Sequence, residues 1–240
     1  MDWMLYVDLY CERTAAGVWN EPLNALSNLA FWLAAATVVW RCKRQHIPLD
    51  EELRTLLALL VGIGAASLAF HMFANRLTNA ADVLAIALYL HAWLALYLRR
   101  VWRWPWALAW RTAWLGVPAF ALLSGAATLA WQRAGIEPAA YLGAWSVLLL
   151  VVADSARRGS PALQPLALAA GLFLISVVLR QIDLPLCPQW PPGTHFGWHL
   201  LNAVTLGLTA WALAVAMAVA PVQRIKAPDC LVSFSDRENR

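Results

Sequence analysis

Seven apolar segments of roughly membrane-spanning length follow one another along the chain, and short polar loops separate them. They cover residues 22–40, 53–73, 81–98, 106–131, 139–153, 162–179 and 194–220. A helix needs about 20 mostly apolar residues to cross a bilayer, so the pattern predicts an all-α integral membrane protein with seven transmembrane helices. Residues 1–21 form an N-terminal segment, 22–220 a single membrane domain and 221–240 a polar tail. The sequence shows no internal repeat and no second domain.

The composition supports a membrane location. Hydrophobic residues make up 61% of the chain and charged residues only 13%, against roughly 25% charged residues in a soluble domain. The 15 Trp residues fit the aromatic belts at the two membrane surfaces. A net charge of +4 does not indicate a nucleic-acid partner. The only lysines are Lys43 and Lys226, and the preference for Arg, together with Ala, Leu and Trp, suggests a GC-rich bacterial genome.

The basic residues predict the orientation, because cytoplasmic loops carry an excess of Lys and Arg. With the N-terminus outside, all but four of the 18 Lys and Arg residues lie at or beyond the cytoplasmic ends of spans; the exceptions are Arg13, Arg76, Arg133 and Arg180. Asp2 and Asp8 stand where a cleavable signal peptide has a basic region, so the first span is expected to direct insertion. We expect an extracytoplasmic N-terminus and a cytoplasmic C-terminus, in a bacterial inner membrane.

Two histidines four residues apart, His195 and His199, open the seventh span. Residues i and i+4 share one face of a helix, and such a pair inside a membrane helix is costly unless it has a function. Ser67 and His71 repeat this spacing near the end of the second span, and Asp82 lies at the start of the third. In the predicted topology all five residues lie at one depth, on the periplasmic side of the bundle.

These five residues suit metal-assisted hydrolysis. Three neutral histidines and one open position are typical of a catalytic zinc site. Zinc activates a water molecule and polarises a substrate carbonyl. Asp82 can act as the general base for that water, and Ser67 can donate a hydrogen bond to the developing oxyanion or contact the water. Together they indicate an amide or ester hydrolase whose substrate enters from the lipid.

Simpler interpretations exist for single residues of this kind. A lone histidine inside a membrane span is usually a hydrogen-bonded packing residue, which is how we interpret His91. Asp82 taken alone can be a helix N-cap, and Ser67 alone can bond its own helix backbone. Two interfacial ion pairs are expected on opposite sides of the membrane, Arg180 with Asp183 and Asp154 with Arg157.

Four motifs carry a resemblance to a known family. They are Tyr10-Cys-Glu12, the run Glu21-Pro-Leu-Asn-Ala-Leu-Ser-Asn28, Ser67-x-x-x-His71 followed by Asp82, and His195-x-x-x-His199. Over roughly residues 8–220 the chain resembles the alkaline ceramidases, within a superfamily of seven-span membrane hydrolases that includes the adiponectin-receptor-type proteins. The resemblance implies that His71, His195 and His199 bind zinc, and that Asp82 and Ser67 are the catalytic pair.

The resemblance also implies a calcium site between the N-terminal segment and the first span. Glu12 and Glu21 match positions of that site, and Asp8 lies one place from the expected aspartate, where Leu9 stands. Thr14 occupies the position of an expected asparagine, and the segment between the glutamates is shorter than in the family. On the resemblance we expect calcium at Glu12 and Glu21, with Asp8 as a further ligand.

A disulfide is expected between Cys11 and Cys187. Both fall on the predicted outer side, where an oxidising periplasm permits pairing, and the family has a similar bond. Cys42 and Cys230 fall on the cytoplasmic side.

The expected function is that of a zinc-dependent lipid amide hydrolase, which cleaves ceramide-like N-acyl lipids to a sphingoid base and a fatty acid. Another N-acyl lipid or an ester stays open as the substrate. The alternative is a receptor-like or structural seven-helix protein with a non-catalytic zinc site. A retinal protein needs a lysine within the seventh span, and Lys43 and Lys226 lie outside the spans. A transporter is disfavoured because no repeat or pair of broken helices is visible.

Overall fold

The computed structural model describes residues 2–116, 122 and 139–218. Within these ranges the chain is helical, apart from loops and one antiparallel bridge between Tyr6 and Asn75. In chain order the helices are α1 (Pro22–Ser27), α2 (Leu29–Arg44), α3 (Glu51–Phe73), α4 (Arg76–Arg100), α5 (106–116), α6 (Ala139–Arg157), α7 (Leu163–Gln181), α8 (Asp183–Leu186) and α9 (His195–Ala218).

Five helical segments of the described chain are long and apolar enough to cross a membrane: Pro22–Arg44, Glu51–Phe73, Arg76–Arg100, Leu163–Gln181 and His195–Ala216. This is the architecture of a helical membrane protein. The predicted fifth span corresponds to α6, which is not among these five. In the predicted fourth span, residues 117–121 and 123–131 lie outside the described residues, as does the predicted tail, 221–240. The count of seven spans therefore stays a prediction.

Side-chain caps determine where two of the spans begin. Asp50 accepts the Leu53 N–H at 2.9 Å, which starts α3 two residues before the predicted span. Asn75 accepts the Thr78 N–H at 3.0 Å, which starts α4 at Arg76. The predicted polar turn at 74–80 is therefore mostly helix. The interpretation of Asp82 as an N-cap is wrong, since Asp82 lies inside α4.

Helix α9 forms the centre of the described bundle. It contacts α1, α2, α3, α4 and α7, and it is the most buried of the five apolar segments. Ala203, Ala210 and Ala214 along α9 are fully buried, because small side chains let membrane helices approach closely. The first turns of α9, which carry His195 and His199, therefore face the interior of the bundle.

The N-terminal segment covers the end of the bundle at which α3 ends and α4 and α9 begin. The Val7 N–H donates to the Ala74 carbonyl at 2.8 Å, and the Arg76 N–H donates to the Leu5 carbonyl at 3.1 Å. A disulfide joins Cys11 to Cys187, 176 positions further along the chain. The segment is thus attached both to the α3–α4 turn and to the loop before α9.

Polar contacts at the opposite end link α3, α4 and α6. Arg100 pairs with Asp50 at 2.7 Å and also with Glu52. Asp154 accepts the Tyr97 hydroxyl proton at 2.8 Å, which links α6 to α4, and it also pairs with Arg158 at 2.9 Å. The predicted partner, Arg157, is thus replaced by the residue four positions from Asp154, which shares its helix face.

Candidate metal centre

Three buried histidines meet at the covered end of the bundle. His71 lies in the last turn of α3, and His195 and His199 lie in the first turns of α9. Each has 2% or less of its surface exposed. One ring nitrogen from each lies within 4.8 Å of the others. The structure therefore brings together the three histidines predicted from their spacing.

The hydrogen bonds around two of these rings determine which nitrogens face the centre. His71 Nδ1 donates to the Glu21 carboxylate at 2.5 Å. Ser27 donates its hydroxyl proton to the Asn24 carbonyl at 2.8 Å, so it accepts a hydrogen bond from His199 Nδ1, also at 2.8 Å. In a neutral imidazole with a proton on Nδ1, Nε2 carries the lone pair. Both Nε2 atoms are therefore acceptors.

These two acceptors, His71 Nε2 and His199 Nε2, lie only 3.2 Å apart. Two lone pairs facing each other in a buried site repel unless a cation, either a metal ion or a shared proton, lies between them. Two nitrogens on a tetrahedral zinc ion are about 3.3 Å apart, given Zn–N bonds of about 2.0–2.1 Å. The spacing fits a shared metal ion. Imidazole also suits copper, iron and nickel, so the geometry supports a metal without selecting one.

His195 supplies the third imidazole. Its Nδ1 atom is buried and has no hydrogen-bond partner among the described residues. Its ring stacks on Tyr10, with ring centroids 3.5 Å apart and an interplanar angle of 14°. Burial raises the pKa of the Tyr10 phenol well above its ordinary value, although the nearby Arg180 opposes this, so Tyr10 is neutral at physiological pH. The N-terminal segment thus packs directly on a candidate ligand.

Asp183 positions the start of α9. Its Oδ1 accepts the N–H groups of Thr194 and His195, at 2.7 and 2.9 Å, and its Oδ2 accepts the Cys11 N–H at 2.9 Å. A carboxylate at a helix N-terminus is favourable because it faces unpaired N–H groups and the positive end of the dipole. Gly193 allows this approach: its φ is +67°, and a Cβ there would collide with Asp183 and lie 2.9 Å from the Cys11 Cβ.

The predicted ion pair between Arg180 and Asp183 does not form; Asp183 is buried and binds backbone N–H groups instead. Arg180 lies over the rings of Tyr10, Tyr141 and Trp198, at 5.8, 5.1 and 5.8 Å from their centroids. Its Nε is buried without a hydrogen-bond partner in the described chain. Arg180 is therefore available to a ligand at this position.

Ser67 and Asp82 lie at the same end of the bundle as the histidines. Ser67 is one turn before His71 in α3 and is buried, while Asp82 is in the second turn of α4. Asp82 Oδ1 is buried and unpaired within the described ranges. Both residues line the same cavity as His195 and His199. The structure thus groups the predicted Ser and Asp with the candidate metal ligands.

The cavity has a volume of about 310 Å³ and runs into the bundle from the histidines. Its polar end contains Ser67, Asp82 and Arg180. The rest of the cavity wall is mostly apolar. Its side chains include Val83, Ile86, Leu90, Leu94, Val147, Leu148 and Phe173. His91 also lines it, but bonds its own helix at the Ala87 carbonyl, at 2.5 Å, which agrees with its interpretation as a packing residue.

The N-terminal acids expected to bind calcium have protein partners. Glu12 Oε1 and Oε2 accept the N–H groups of Leu23 and Asn24 at 2.7 and 2.8 Å, and so cap the start of α1. Asp8 is exposed. Glu12 is therefore a helix-capping residue here.

Glu21, the second expected calcium ligand, is in contact with a cationic side chain. Its Oε1 forms an ion pair with Arg13, and its Oε2 binds His71 and the Asn24 amide. Burial alone would raise the pKa of Glu21, but the hydrogen bonds from His71, Arg13 and Asn24 hold it below its ordinary value. Because a guanidinium already lies against the carboxylate, a divalent ion would be repelled. The residues present do not fit calcium.

Sequence reasoning missed several residues of this site. Ser27 lies in the run from Glu21 to Asn28, but the sequence pattern assigned it no role. Arg13 was used only to predict the orientation in the membrane. Only their long-range contacts reveal them, since Arg13 and Ser27 lie 58 and 172 positions from the histidines they contact. One sequence feature pointed to this part of the site. The run that begins at Glu21 carries polar residues at helical spacing, whereas a helix face in contact with lipid would carry apolar residues.

Comparisons with known proteins do not assign the chain to a group. No protein-family model matches it, and neither a curated protein nor a solved structure does.

Proposed function

We propose that the chain is a zinc-dependent, membrane-embedded lipid amide hydrolase of the ceramidase type, which cleaves N-acyl sphingoid lipids to a sphingoid base and a fatty acid. The observation that carries the proposal is the 3.2 Å separation of His71 Nε2 and His199 Nε2 at the polar end of an apolar cavity. A buried cation site beside a hydrophobic channel suits the hydrolysis of an amphiphile.

The roles of the residues follow from their positions. His71, His195 and His199 would hold the zinc ion, which when bound supplies a Lewis acid for a carbonyl group and for water. Asp82 has an unpaired buried oxygen beside the cavity, which suits a group that takes a proton from water and returns it to the leaving amine. Ser67 presents a hydroxyl on the same wall and would donate a hydrogen bond to the developing oxyanion.

The shape of the cavity supports a lipid substrate. Its lining extends along α4 from Asp82 to Leu94, which corresponds to about 18 Å at the rise of an α-helix. An extended acyl chain fits such an apolar passage. Arg180, with its unpaired Nε, would bind the polar head group beside the reacting carbonyl. The ceramide assignment itself rests on the resemblance of the motifs; another N-acyl lipid or an ester would meet the same chemistry.

The orientation is part of the proposal. Basic residues cluster at the end of the bundle opposite the histidines: Arg41, Lys43, Arg44, Arg99, Arg100, Arg157 and Arg158. By the positive-inside rule this end is cytoplasmic. The protein would then cross the inner membrane of a bacterium seven times, with the N-terminus and the site toward the periplasm. A C-terminal reporter that is active only in the cytoplasm tests this; activity of a periplasmic reporter at the same position would contradict it.

Metal analysis of the purified protein tests the proposal most directly. We expect about one zinc ion per chain in the wild type and its loss in the double variant His195→Ala/His199→Ala. His91→Ala, a buried histidine outside the cluster, should keep zinc. Fatty-acid release from ceramides and other N-acyl lipids is then measured on the zinc-loaded protein. A folded wild type without bound metal would refute the metal site. Bound zinc without hydrolysis of any N-acyl lipid or ester would favour the receptor-like alternative.

A further inference from the structure

Arg13 is the one Lys or Arg residue of the N-terminal segment, and it is buried. Its side chain has no exposed surface. Its guanidinium lies 5.8 Å from the centroid of the Tyr6 ring, and its hydrogen-bond acceptors are all oxygen atoms. Nε binds a Glu21 carboxylate oxygen, Nη1 donates to the carbonyls of Ala15 and Gly17 at 3.4 and 3.1 Å, and Nη2 donates to the His71 carbonyl at 2.6 Å.

This shell of one carboxylate and three backbone carbonyls is the type of donor set that binds a hard cation such as calcium. Burying a guanidinium is costly unless it is paired and its N–H groups are satisfied. Glu21 balances the charge, and the three carbonyls accept three of the four remaining N–H groups of the guanidinium. The site is therefore already filled by a cation that belongs to the chain.

We propose that Arg13 is a built-in cation that takes the place of a bound calcium ion, so that the N-terminal segment is held on the bundle without any divalent metal. Three separate parts of the chain meet on its guanidinium: the loop at 15–17, Glu21 before α1 and the last turn of α3. A metal ion in this position would connect the same parts.

Arg13 also positions one candidate zinc ligand, and this part rests on the proposed function. It binds the backbone carbonyl of His71 directly, and through Glu21 it fixes the carboxylate that accepts the His71 Nδ1 proton. Groups that orient a ligating histidine typically change metal affinity by about 10- to 100-fold when they are removed. Arg13 is thus a positioning residue, not a catalytic one.

The test compares wild type, Arg13→Ala, Arg13→Lys and a control, Arg76→Ala, whose side chain is exposed at the same end of the bundle. Thermal stability is measured in detergent on chelator-stripped protein reloaded with zinc, with calcium chloride or methylguanidinium added or omitted. We expect wild type and Arg76→Ala to have a Tm independent of calcium. Arg13→Ala should have a Tm lower by on the order of 10 °C, partly restored by millimolar methylguanidinium or calcium in the vacated site.

Three results would overturn the proposal: a wild-type Tm that rises by several degrees with calcium, an Arg13→Ala variant as stable as Arg76→Ala, or no restoration by either cation. If Arg13→Ala does not fold, Arg13→Lys and the wild-type calcium titration decide in the same way. Zinc affinity is a separate readout, and we expect it to fall by about 10- to 100-fold in Arg13→Ala. If no variant binds zinc, the proposed function fails, while the comparison of Tm values still decides the role of Arg13.

Discussion

Glu21 Oε2 lies 2.5 Å from His71 Nδ1, although 50 positions separate the two residues in the chain. The bond fixes the tautomer of His71 and directs its free nitrogen toward His199. It also connects the N-terminal segment to the candidate metal centre, because the other oxygen of Glu21 binds Arg13.

Replacing Glu21 with Gln should weaken zinc binding by about 10- to 100-fold, because the amide no longer stabilises a donating Nδ1 as the carboxylate does. Competition with a chromophoric zinc chelator measures this change. Glu12→Gln is the matched control, since Glu12 lies in the same segment but, within the described ranges, its hydrogen bonds go to α1 backbone N–H groups. Equal losses in the two variants would indicate a general loosening of the segment instead.

Replacing Asp82 with Asn should leave zinc content unchanged and lower kcat by about 100- to 10,000-fold, the usual contribution of a general base. The amide has nearly the same size but cannot take up a proton. Zinc content and fatty-acid release are measured on the same preparation. Turnover at the wild-type rate would remove Asp82 from the proposed mechanism.

Enlarging a residue at the deep end of the cavity should change the preferred acyl length. Leu94 lines the cavity about 18 Å along α4 from Asp82, and Leu94→Phe should shift kcat/KM toward shorter acyl chains. Leu88→Phe is the control, because Leu88 is exposed on the outside of α4 and does not line the cavity. An unchanged chain-length profile in Leu94→Phe would contradict the assignment of this passage to the acyl chain.

Replacing Asp183 with Ala should destabilise the protein by several kcal/mol, because three backbone N–H groups lose a charged acceptor and each such bond contributes about 1.5–3 kcal/mol. Thermal unfolding in detergent measures the effect. Asp154→Ala serves as the comparison at the other end of the bundle, where Asp154 pairs with the more exposed Arg158. A smaller effect for Asp183→Ala than for Asp154→Ala would show that the start of α9 does not depend on Asp183.

Reduction of the disulfide should lower the Tm, because the bond closes a loop of 176 positions and such bonds typically contribute about 2–4 kcal/mol. Dithiothreitol should therefore destabilise the wild type and leave Cys11→Ala/Cys187→Ala unaffected. Cys42→Ala, which lacks the buried free thiol, should respond to dithiothreitol as the wild type does. A wild-type Tm that is insensitive to reduction would contradict a stabilising role for the bond.

Local patterns in the sequence determined the helical segments and the histidine face. For the described helices, apolar runs of span length predicted most of the ends to within a few residues, because the length of a spanning helix is set by the thickness of the bilayer. The spacing of His195 and His199 placed both on one face, since the period of the helix is local geometry. Where prediction failed, as at the start of α4, a cap at Asn75 had been overlooked.

Only the tertiary structure decided which buried polar groups pair with which. Glu21 and His71 are 50 positions apart, Ser27 and His199 are 172 apart, and Cys11 and Asp183 are also 172 apart. Nothing in the local sequence distinguishes Arg13 as an enclosed cation from an ordinary interfacial arginine. A buried donor must find an acceptor, but the acceptor is chosen by how distant helices pack, and packing is a property of the whole chain.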